Sequence, residues 1–211
     1  MIASGITTVQ HIQGWLPGTR AEVEKRATDT IRAYEDIGMR VSYCYAVRDQ
    51  NRLVYQADEA LVASLPRDLQ GPMQRWFDRF RLGLDDAMDM FRAFHARYRS
   101  TRRVRIQLAP ANLHWCSDAA LAAFAEASAG HGVPMHMHLV ETAYQKEYAR
   151  RRGGGTALEH IDRFGLVNGR LTVGHGVWLT EGDIDRLAEA GACICHNQSI
   201  STRSAARPTS C

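Results

Sequence analysis

The stretch PMHMHLVET, residues 134–142, decides the fold, because it combines a short apolar strand pattern with polar side chains at its end. Side chains alternate between the two faces of a strand, so His136 and His138 are predicted to point to the same face. The chain is expected to leave the strand near Glu141. An imidazole at such a strand end can bind a divalent metal, and a carboxylate just beyond it can carry protons. The spacing fits a metal site and a hydrogen-bonded pair of core histidines equally well.

Outward from this stretch, strand-like and helix-like patterns alternate along nearly the whole chain. The predicted strands are residues 5–12, 40–47, 104–110, 133–140, 171–177 and 192–198, and the predicted helices are residues 21–39, 85–99, 117–129, 156–164 and 180–190. Residues 49–83 give a weaker, partly helical signal. Such alternation predicts an α/β fold with parallel strands linked by crossover helices. The strands are apolar at nearly every position, which is typical of a sheet covered on both faces.

Two architectures fit this alternation: an open, doubly wound sheet and a closed (β/α) barrel. No glycine-rich phosphate-binding fingerprint follows the first predicted strand, which argues against the nucleotide-binding form of the open sheet. Polar residues gather instead at the carboxyl ends of the strands, where barrels of parallel strands carry their chemistry. These residues are His11, Arg48, Asp49, Asn112, His114, His138, Glu141, His175, His196 and Asn197.

Composition argues against several classes of protein. At 211 residues with 45% hydrophobic residues, the chain is predicted to form one globular domain. Its net charge is only +3, and the arginines between residues 92 and 105 lie on a predicted helix, which favours a solvated face over a nucleic-acid interface. No apolar run approaches the roughly 18 residues of a membrane span. Five cysteines without framework spacing, and no leader pattern, favour the reducing cytoplasm.

Several residues have a plain structural interpretation beside any functional one. His11, His95, His131 and His160 are predicted to be surface or helix residues, and Cys193 and Cys195 small core residues of a strand. The candidates to line a pocket for a flat heteroaromatic ring are Asn112, His114, Trp115 and Trp178. The two tryptophans fit a packing role equally well.

Four segments carry a resemblance to a known family: GITTV (residues 5–9), HMHLVET (136–142), LEHIDRFGLVNGRLTVGHGVWLTEGDIDRLAEAG (158–191) and CHNQS (195–199). In this order and at these intervals, they resemble the metal-dependent amidohydrolase superfamily, and within it the group of cytosine deaminase-like enzymes, S-adenosylhomocysteine deaminases and s-triazine hydrolases. The resemblance implies an incomplete (β/α)8 TIM-type barrel that holds strands two to seven. It also implies a hydrolase of the aminohydrolase or deaminase type, acting on a heteroaromatic ring through a metal-activated water.

The resemblance also assigns roles to residues at matching positions. His138 falls on a metal ligand, and Glu141 falls on the proton shuttle. His175 falls on a catalytic histidine beside the metal, which contacts the attacking water or the substrate and in some relatives is described as a ligand. His136 matches a position that does not bind the metal. The implied cofactor is one divalent metal, zinc, with iron as the alternative.

Two departures from the family's pattern limit this interpretation. Members of the family carry a His-x-His strand ahead of the GITTV strand and an aspartate-bearing strand after HNQS, and this sequence contains neither pattern. The last residues, STRSAARPTSC (201–211), also diverge from the family. We therefore expect residues 1–211 to be an interior fragment of one barrel domain, without its small β-sandwich and with an incomplete metal site.

Two functional hypotheses follow. The first is a metal-dependent hydrolase that removes an amino or halide group from a small heterocyclic substrate, and the second is a catalytically silent fragment. Ala111 stands where the adenosine-type deaminases of the group carry a histidine, which argues against adenosylhomocysteine as the substrate. Because the outer strands of a fragment expose backbone groups and apolar side chains, we expect the chain to associate with itself. No nucleic-acid or membrane partner is expected.

Overall fold

The computed structural model describes residues 2–197 of the chain. These residues form two compact units, one that ends at Ala109 and one that begins at Pro110. The strand pairs with a defined register are all parallel, as the alternating pattern predicts. In the part of the chain that the structure describes, no helix has both the length and the apolar character needed to cross a membrane.

The first unit is a parallel sheet with helices between its strands. Its elements are, in chain order, β1 (Thr8–Gln13), α1 (Arg20–Asp36), β2 (Arg40–Val47), α2 (Asp58–Ser64), α3 (Arg67–Phe77), α4 (Leu84–Tyr98) and β3 (Val104–Ile106), followed by the short β4 (Ala109–Pro110) at the boundary between the units. The central strand is β2, which pairs with β1 and β3, while the short β4 also pairs with it. Residues 49–83, where the sequence signal is weak, contain α2 and α3.

The long helices of this unit follow the apolar stripes of the sequence. In α1, Val23, Ala27 and Ile31 are fully buried, and a capping box between Thr19 and Glu22 starts the helix. The helix ends at Asp36, and Gly38 follows with a φ of 74°, which other residues rarely adopt. In α4, the apolar residues at helical spacing are buried: Met88, Phe91, Phe94 and Tyr98.

The second unit has its own parallel sheet, in the order β5-β6-β7. Its elements are a 3₁₀ turn (Leu113–Trp115), α5 (Asp118–His131), β5 (Met135–Leu139), α6 (Ala143–Gly153), α7 (Ala157–Asp162), β6 (Leu171–His175), α8 (Glu181–Glu189) and β7 (Cys193–Cys195). Ser117 caps α5, because its side chain accepts a hydrogen bond from the backbone N–H of Ala120. The helix α6 has no apolar stripe, since only Gln145 and Ala149 are buried, and the sequence pattern therefore does not define its bounds.

The outer strands depart from the prediction that strands are covered on both faces. This prediction holds for β2, β5 and β6, whose residues are mostly buried. In β7, by contrast, Cys193 is exposed, Cys195 is half-buried and Ile194 is 45% exposed. The prediction that both cysteines are core residues is therefore wrong, because β7 is the last strand of the described sheet. In β1, no residue is fully buried.

Candidate active site

Parallel pairing of β5 with β6 places two histidines side by side. In the register of the two strands, His138 lies opposite Gly174, and Leu139 lies opposite His175. The ring centroids of His138 and His175 are 5.3 Å apart, with the rings tilted by 36°. Both imidazoles therefore lie at the carboxyl end of the sheet, where the sequence predicted the chemistry.

Glu141 joins this pair from the turn that follows β5. Its Oε2 lies 3.7 Å from Nε2 of His175, which is within ion-pair distance but longer than a hydrogen bond. The backbone N–H of Glu141 donates to Oε1 of Gln145, at 2.9 Å, which ties the turn to the start of α6. The Glu141 side chain is 24% exposed and that of His175 is 7% exposed, so the carboxylate faces the more open side of the pair.

The backbone around these two residues is strained. Val140, directly before Glu141, has a φ of 44°, and His175 has a φ of 72°. A left-handed conformation is unfavourable for any residue with a Cβ and most unfavourable for a β-branched one such as valine. At His175 the N–H of Gly176 donates to the Gly174 carbonyl at 3.1 Å, which closes a γ-turn with a positive φ.

Two further backbone hydrogen bonds link the ends of β5 and β6. The N–H of Gly176 donates to the Leu139 carbonyl at 3.1 Å, and the N–H of Trp178 donates to the Val140 carbonyl at 3.0 Å. These bonds connect the segment before Glu141 with the segment after His175. They explain how the strained conformations persist, because the surrounding structure fixes both strand ends.

His136 lies on the same face as His138, as the alternation predicts. The two rings meet edge to face, with centroids 5.2 Å apart, and His136 is only 2% exposed. Within residues 2–197, neither of its ring nitrogens has a hydrogen-bond partner. Burial lowers the pKa of His136 to about 4, and the neighbouring His138 and His175 add to the shift. The imidazole is therefore neutral at neutral pH.

The four candidates for substrate contact occupy different surroundings. Asn112 is 1% exposed and follows Ala111, whose carbonyl accepts a hydrogen bond from the His138 backbone N–H at 3.3 Å. The amide nitrogen of Asn112 is buried and has no hydrogen-bond partner among the described residues. Two other candidates for lining the pocket, His114 and Trp115, lie in the 3₁₀ turn Leu113–Trp115. Their rings pack against each other, with ring centroids 4.3 Å apart.

Trp178, the fourth candidate, lies in the wall of a cavity of about 360 Å³. This cavity is lined by residues from α6, by the segment from Gly155 to Glu159, and by the start of α8. Val140 also lines it. Trp178 therefore borders a cavity beside α6 and the start of α8. Asn112, by contrast, follows the residue that is hydrogen-bonded to the backbone of His138.

The described side chains do not assemble a complete metal site. Within residues 2–197, no group of three or more His, Cys, Asp or Glu residues is arranged to hold a metal ion. A catalytic zinc site needs three protein ligands and one open position. The cluster of His138, His175 and Glu141 thus fits part of such a site and does not by itself hold the metal.

Gly174 is the site residue that sequence reasoning missed. It lies in β6, next to His175 and opposite His138. The available signal was a glycine inside a predicted strand, because such a glycine often marks a close approach of backbone and another group.

The fold and the site together define a class of protein. Parallel strands with crossover helices, and a cluster of imidazoles and a carboxylate at the carboxyl ends of neighbouring strands, are the arrangement of α/β enzymes with sites at the strand ends. The model of the Amidohydrolase family matches residues 1–208, so the chain belongs to this family, a group of metal-dependent amidohydrolases and deaminases.

Comparison with individual proteins gives the same result. Over 112 residues the chain is 35% identical to a 5-methylthioadenosine/S-adenosylhomocysteine deaminase of Nitratidesulfovibrio vulgaris (strain DP4), a match that covers 53% of this chain and 25% of that protein. Over 132 residues it is 31% identical to an 8-oxoguanine deaminase of Pseudomonas aeruginosa, covering 63% of this chain and 29% of that protein.

A solved structure shares the fold. An atrazine chlorohydrolase from Arthrobacter aurescens TC1, complexed with zinc, superimposes with a TM-score of 0.74 and 22% sequence identity. The match covers 92% of this chain and 39% of that chain. The chain therefore spans less than half the length of each of these three proteins.

Proposed function

We propose that the whole protein is a metal-dependent hydrolase that removes an amino or halide group from a heteroaromatic ring. The observation that carries this proposal is the convergence of Glu141 with His138 and His175 at the carboxyl ends of β5 and β6. We assign residues 1–211 to a partial barrel of the TIM type, with strands two to seven. The family, and relatives named as deaminases and a chlorohydrolase, support this reaction class.

Each residue of the cluster has one role in the proposal. His138 is the metal ligand that this chain contributes, and the metal, zinc with iron as the alternative, would lower the pKa of a bound water. Glu141 accepts a proton from the attacking water and delivers it to the leaving amino group, so that ammonia departs and the ring carbon keeps the oxygen. His175 lies within 3.7 Å of Glu141 and hydrogen-bonds to the substrate or the attacking water.

Asn112 is the substrate contact that the burial pattern favours. Its amide nitrogen is buried next to the His138 strand and has no partner within the described residues, and such a donor suits a ring nitrogen or carbonyl oxygen. His114, Trp115 and Trp178 are proposed as wall residues rather than as contacts. With Ala111 in place of a histidine, we propose a heterocycle other than adenosylhomocysteine.

The alternative is a chain without catalytic activity of its own. The observation that favours it is the absence of a metal-holding group among residues 2–197. One neutral imidazole, that of His138, binds zinc weakly compared with a closed set of ligands. In this alternative, the chain is a truncated fragment or remnant without independent activity.

Two experiments separate these functions. First, calorimetry of the 211-residue chain with Zn²⁺ is expected to show no tight stoichiometric site. Second, a longer protein with family-like first and last strands is expected to bind zinc tightly and to release ammonia or halide from a panel of aminated and halogenated heterocycles. Tight zinc binding and turnover by the 211-residue chain itself would contradict the silent-fragment alternative.

Glu141→Gln tests the assigned proton transfer in that longer protein. The variant is expected to retain zinc and to lose turnover by roughly 100-fold or more, because general acid–base catalysis contributes about that much. Glu126→Gln is the matched control, since Glu126 is exposed on α5 and does not line the cavity beside Trp178. Full activity in Glu141→Gln, or loss of zinc from it, would refute the role of proton shuttle.

A further inference from the structure

Gly174 lies where two histidine rings meet the backbone of β6. A methyl group at this position would lie 2.7 Å from Nε2 of His136 and 3.3 Å from Cδ2 of His138. Ordinary van der Waals contacts of a Cβ are longer than about 3.4 Å, and a packed interior relaxes only partly. The two imidazoles therefore fill the volume that a side chain at position 174 would need.

The backbone itself does not require a glycine here. Gly174 is absent from the residues with a positive φ, unlike its neighbours His175 and Gly176. It pairs in regular parallel register with His138 on one side and Cys195 on the other. Space for the rings, rather than backbone conformation, is thus the physical reason for the glycine.

The His136 ring packs against both the backbone at Gly174 and the ring of His138. Its ring is 2% exposed and meets His138 edge to face, with an angle of 73° between the ring planes. Because no described hydrogen bond holds its nitrogens, packing against Gly174 and His138 fixes its orientation. A displacement of the His136 ring would therefore be passed to His138, whose ring faces His175 at 5.3 Å.

We propose that Gly174 and His136 are positioning residues that together set the His138 ring against His175. The expected effect on zinc binding rests on the proposed function. The expected effect on the position of the His138 ring does not. In a longer, metal-binding form of the protein, Gly174→Ala is expected to weaken zinc binding by roughly 10- to 100-fold, the range found when groups that orient a metal ligand are removed.

The test uses four variants of the 211-residue chain with ¹⁵N-labelled histidine: Gly174→Ala, His136→Ala, the double variant, and Gly182→Ala. The last is the matched control, because a methyl group at Gly182 in α8 meets no atom within 4 Å. Imidazole ¹⁵N and ¹H shifts report the environments of His138 and His175 without metal or substrate. Thermal unfolding of each variant reports folding.

Gly174→Ala is expected to shift the His138 signals, and the same substitution is expected to have little further effect when His136 is already alanine. Gly182→Ala should leave the signals unchanged. Unchanged His138 signals in Gly174→Ala, or an equal shift with and without His136, would overturn the proposal.

Folding failures are also informative. If Gly174→Ala does not fold, a folded double variant supports the proposal, because removing the His136 ring then restores the space. An unfolded double variant beside a folded His136→Ala, or an unfolded His136→Ala, overturns it. The spectra need neither metal nor substrate, so they can be interpreted even if the protein has no catalytic activity. The proposal for Gly174 and His136 and the proposed hydrolase function can therefore fail independently.

Discussion

The backbone is strained at Val140 and His175, the two residues whose conformation orients the candidate site. Val140 precedes Glu141, and His175 carries the facing imidazole, so their left-handed φ values of 44° and 72° determine where both functional groups point. Such conformations cost on the order of 1–3 kcal/mol each and persist only when the surrounding structure fixes them. The hydrogen bonds from Gly176 and Trp178 to the end of β5 provide that restraint.

Asp118 is the residue for which a pH effect is expected. Its carboxylate accepts hydrogen bonds from Nε2 of His160, at 2.9 Å, and from the guanidinium of Arg152. The bond to His160, with the Arg152 bond and charge, holds the pKa of Asp118 below its usual value of 3.8. His160 itself is buried on α7, so this network joins the start of α5 to α6 and α7.

A carboxyl group whose pKa is lower in the folded than in the unfolded state stabilises the fold at pH values above its unfolded-state pKa. This contribution is lost as the pH falls through its folded-state pKa. Asp118→Asn is therefore expected to lower the free energy of unfolding near neutral pH, and the difference from the parent is expected to shrink below pH 3.8. Because the carboxylate is 59% exposed, solvent screening limits the effect to about 1 kcal/mol.

The measurement is urea unfolding of parent and variant from neutral to acidic pH. Asp29→Asn serves as the control, since Asp29 forms an exposed ion pair with Lys25 on the surface of α1. A stability difference for Asp118→Asn that grows as the pH falls below 3.8 would contradict the prediction.

At the scale of elements, Asp183 connects two helix starts. Its carboxylate accepts hydrogen bonds from the backbone N–H and hydroxyl of Thr180, the N-cap of α8, and from the hydroxyl of Thr156, the N-cap of α7. Asp183 is 5% exposed, so these bonds are shielded from water. One side chain thus completes the capping box of α8 and fixes the start of α7 against it.

Asp183→Ala is expected to lower the free energy of unfolding by about 1–3 kcal/mol, because a helix cap is lost and buried donors are left without an acceptor. Thermal or urea unfolding measures the change. Asp185→Ala, on the exposed side of the same helix, is the control and should change stability by less than about 0.5 kcal/mol. Equal losses in both variants would show that the network does not stabilise the helix starts.

At the scale of the whole molecule, each described sheet has one outer strand that is partly open to solvent, β1 in the first sheet and β7 in the second. No residue of β1 is fully buried, and β7 exposes Cys193 and Ile194. An outer strand with exposed apolar side chains offers its unpaired backbone groups to another chain. Self-association of the 211-residue chain therefore stays the expectation.

Ile194→Lys is expected to reduce this association, because a charged side chain on an outer strand disfavours pairing with a second copy. Light scattering after size-exclusion chromatography measures the mass over a range of concentrations. Ile184→Lys is the control, since Ile184 is similarly exposed but lies on α8. A parent chain that stays monomeric throughout would refute the expectation.

Local patterns in the sequence determined the order and type of most elements. The stripe of α1, the aromatic stripe of α4 and the full length of β2 follow from residues that are near one another in the chain, with periods that match a helix or a strand. The His-x-His pattern of β5 and its Glu141 are equally local. The resemblance to a family rested on such short segments as well.

The tertiary structure alone decided which groups meet. His138 and His175 come together because β5 and β6 pair in one register. The two residues are 37 positions apart in the sequence, so no local pattern indicates that register. The approach of His136 to Gly174, the left-handed turn at Val140 and the exposure of Cys193 have the same origin. Each of these features depends on neighbours that are distant in the sequence. The periodicity of apolar residues indicates which face of a helix or strand is buried, but not which residues that face contacts.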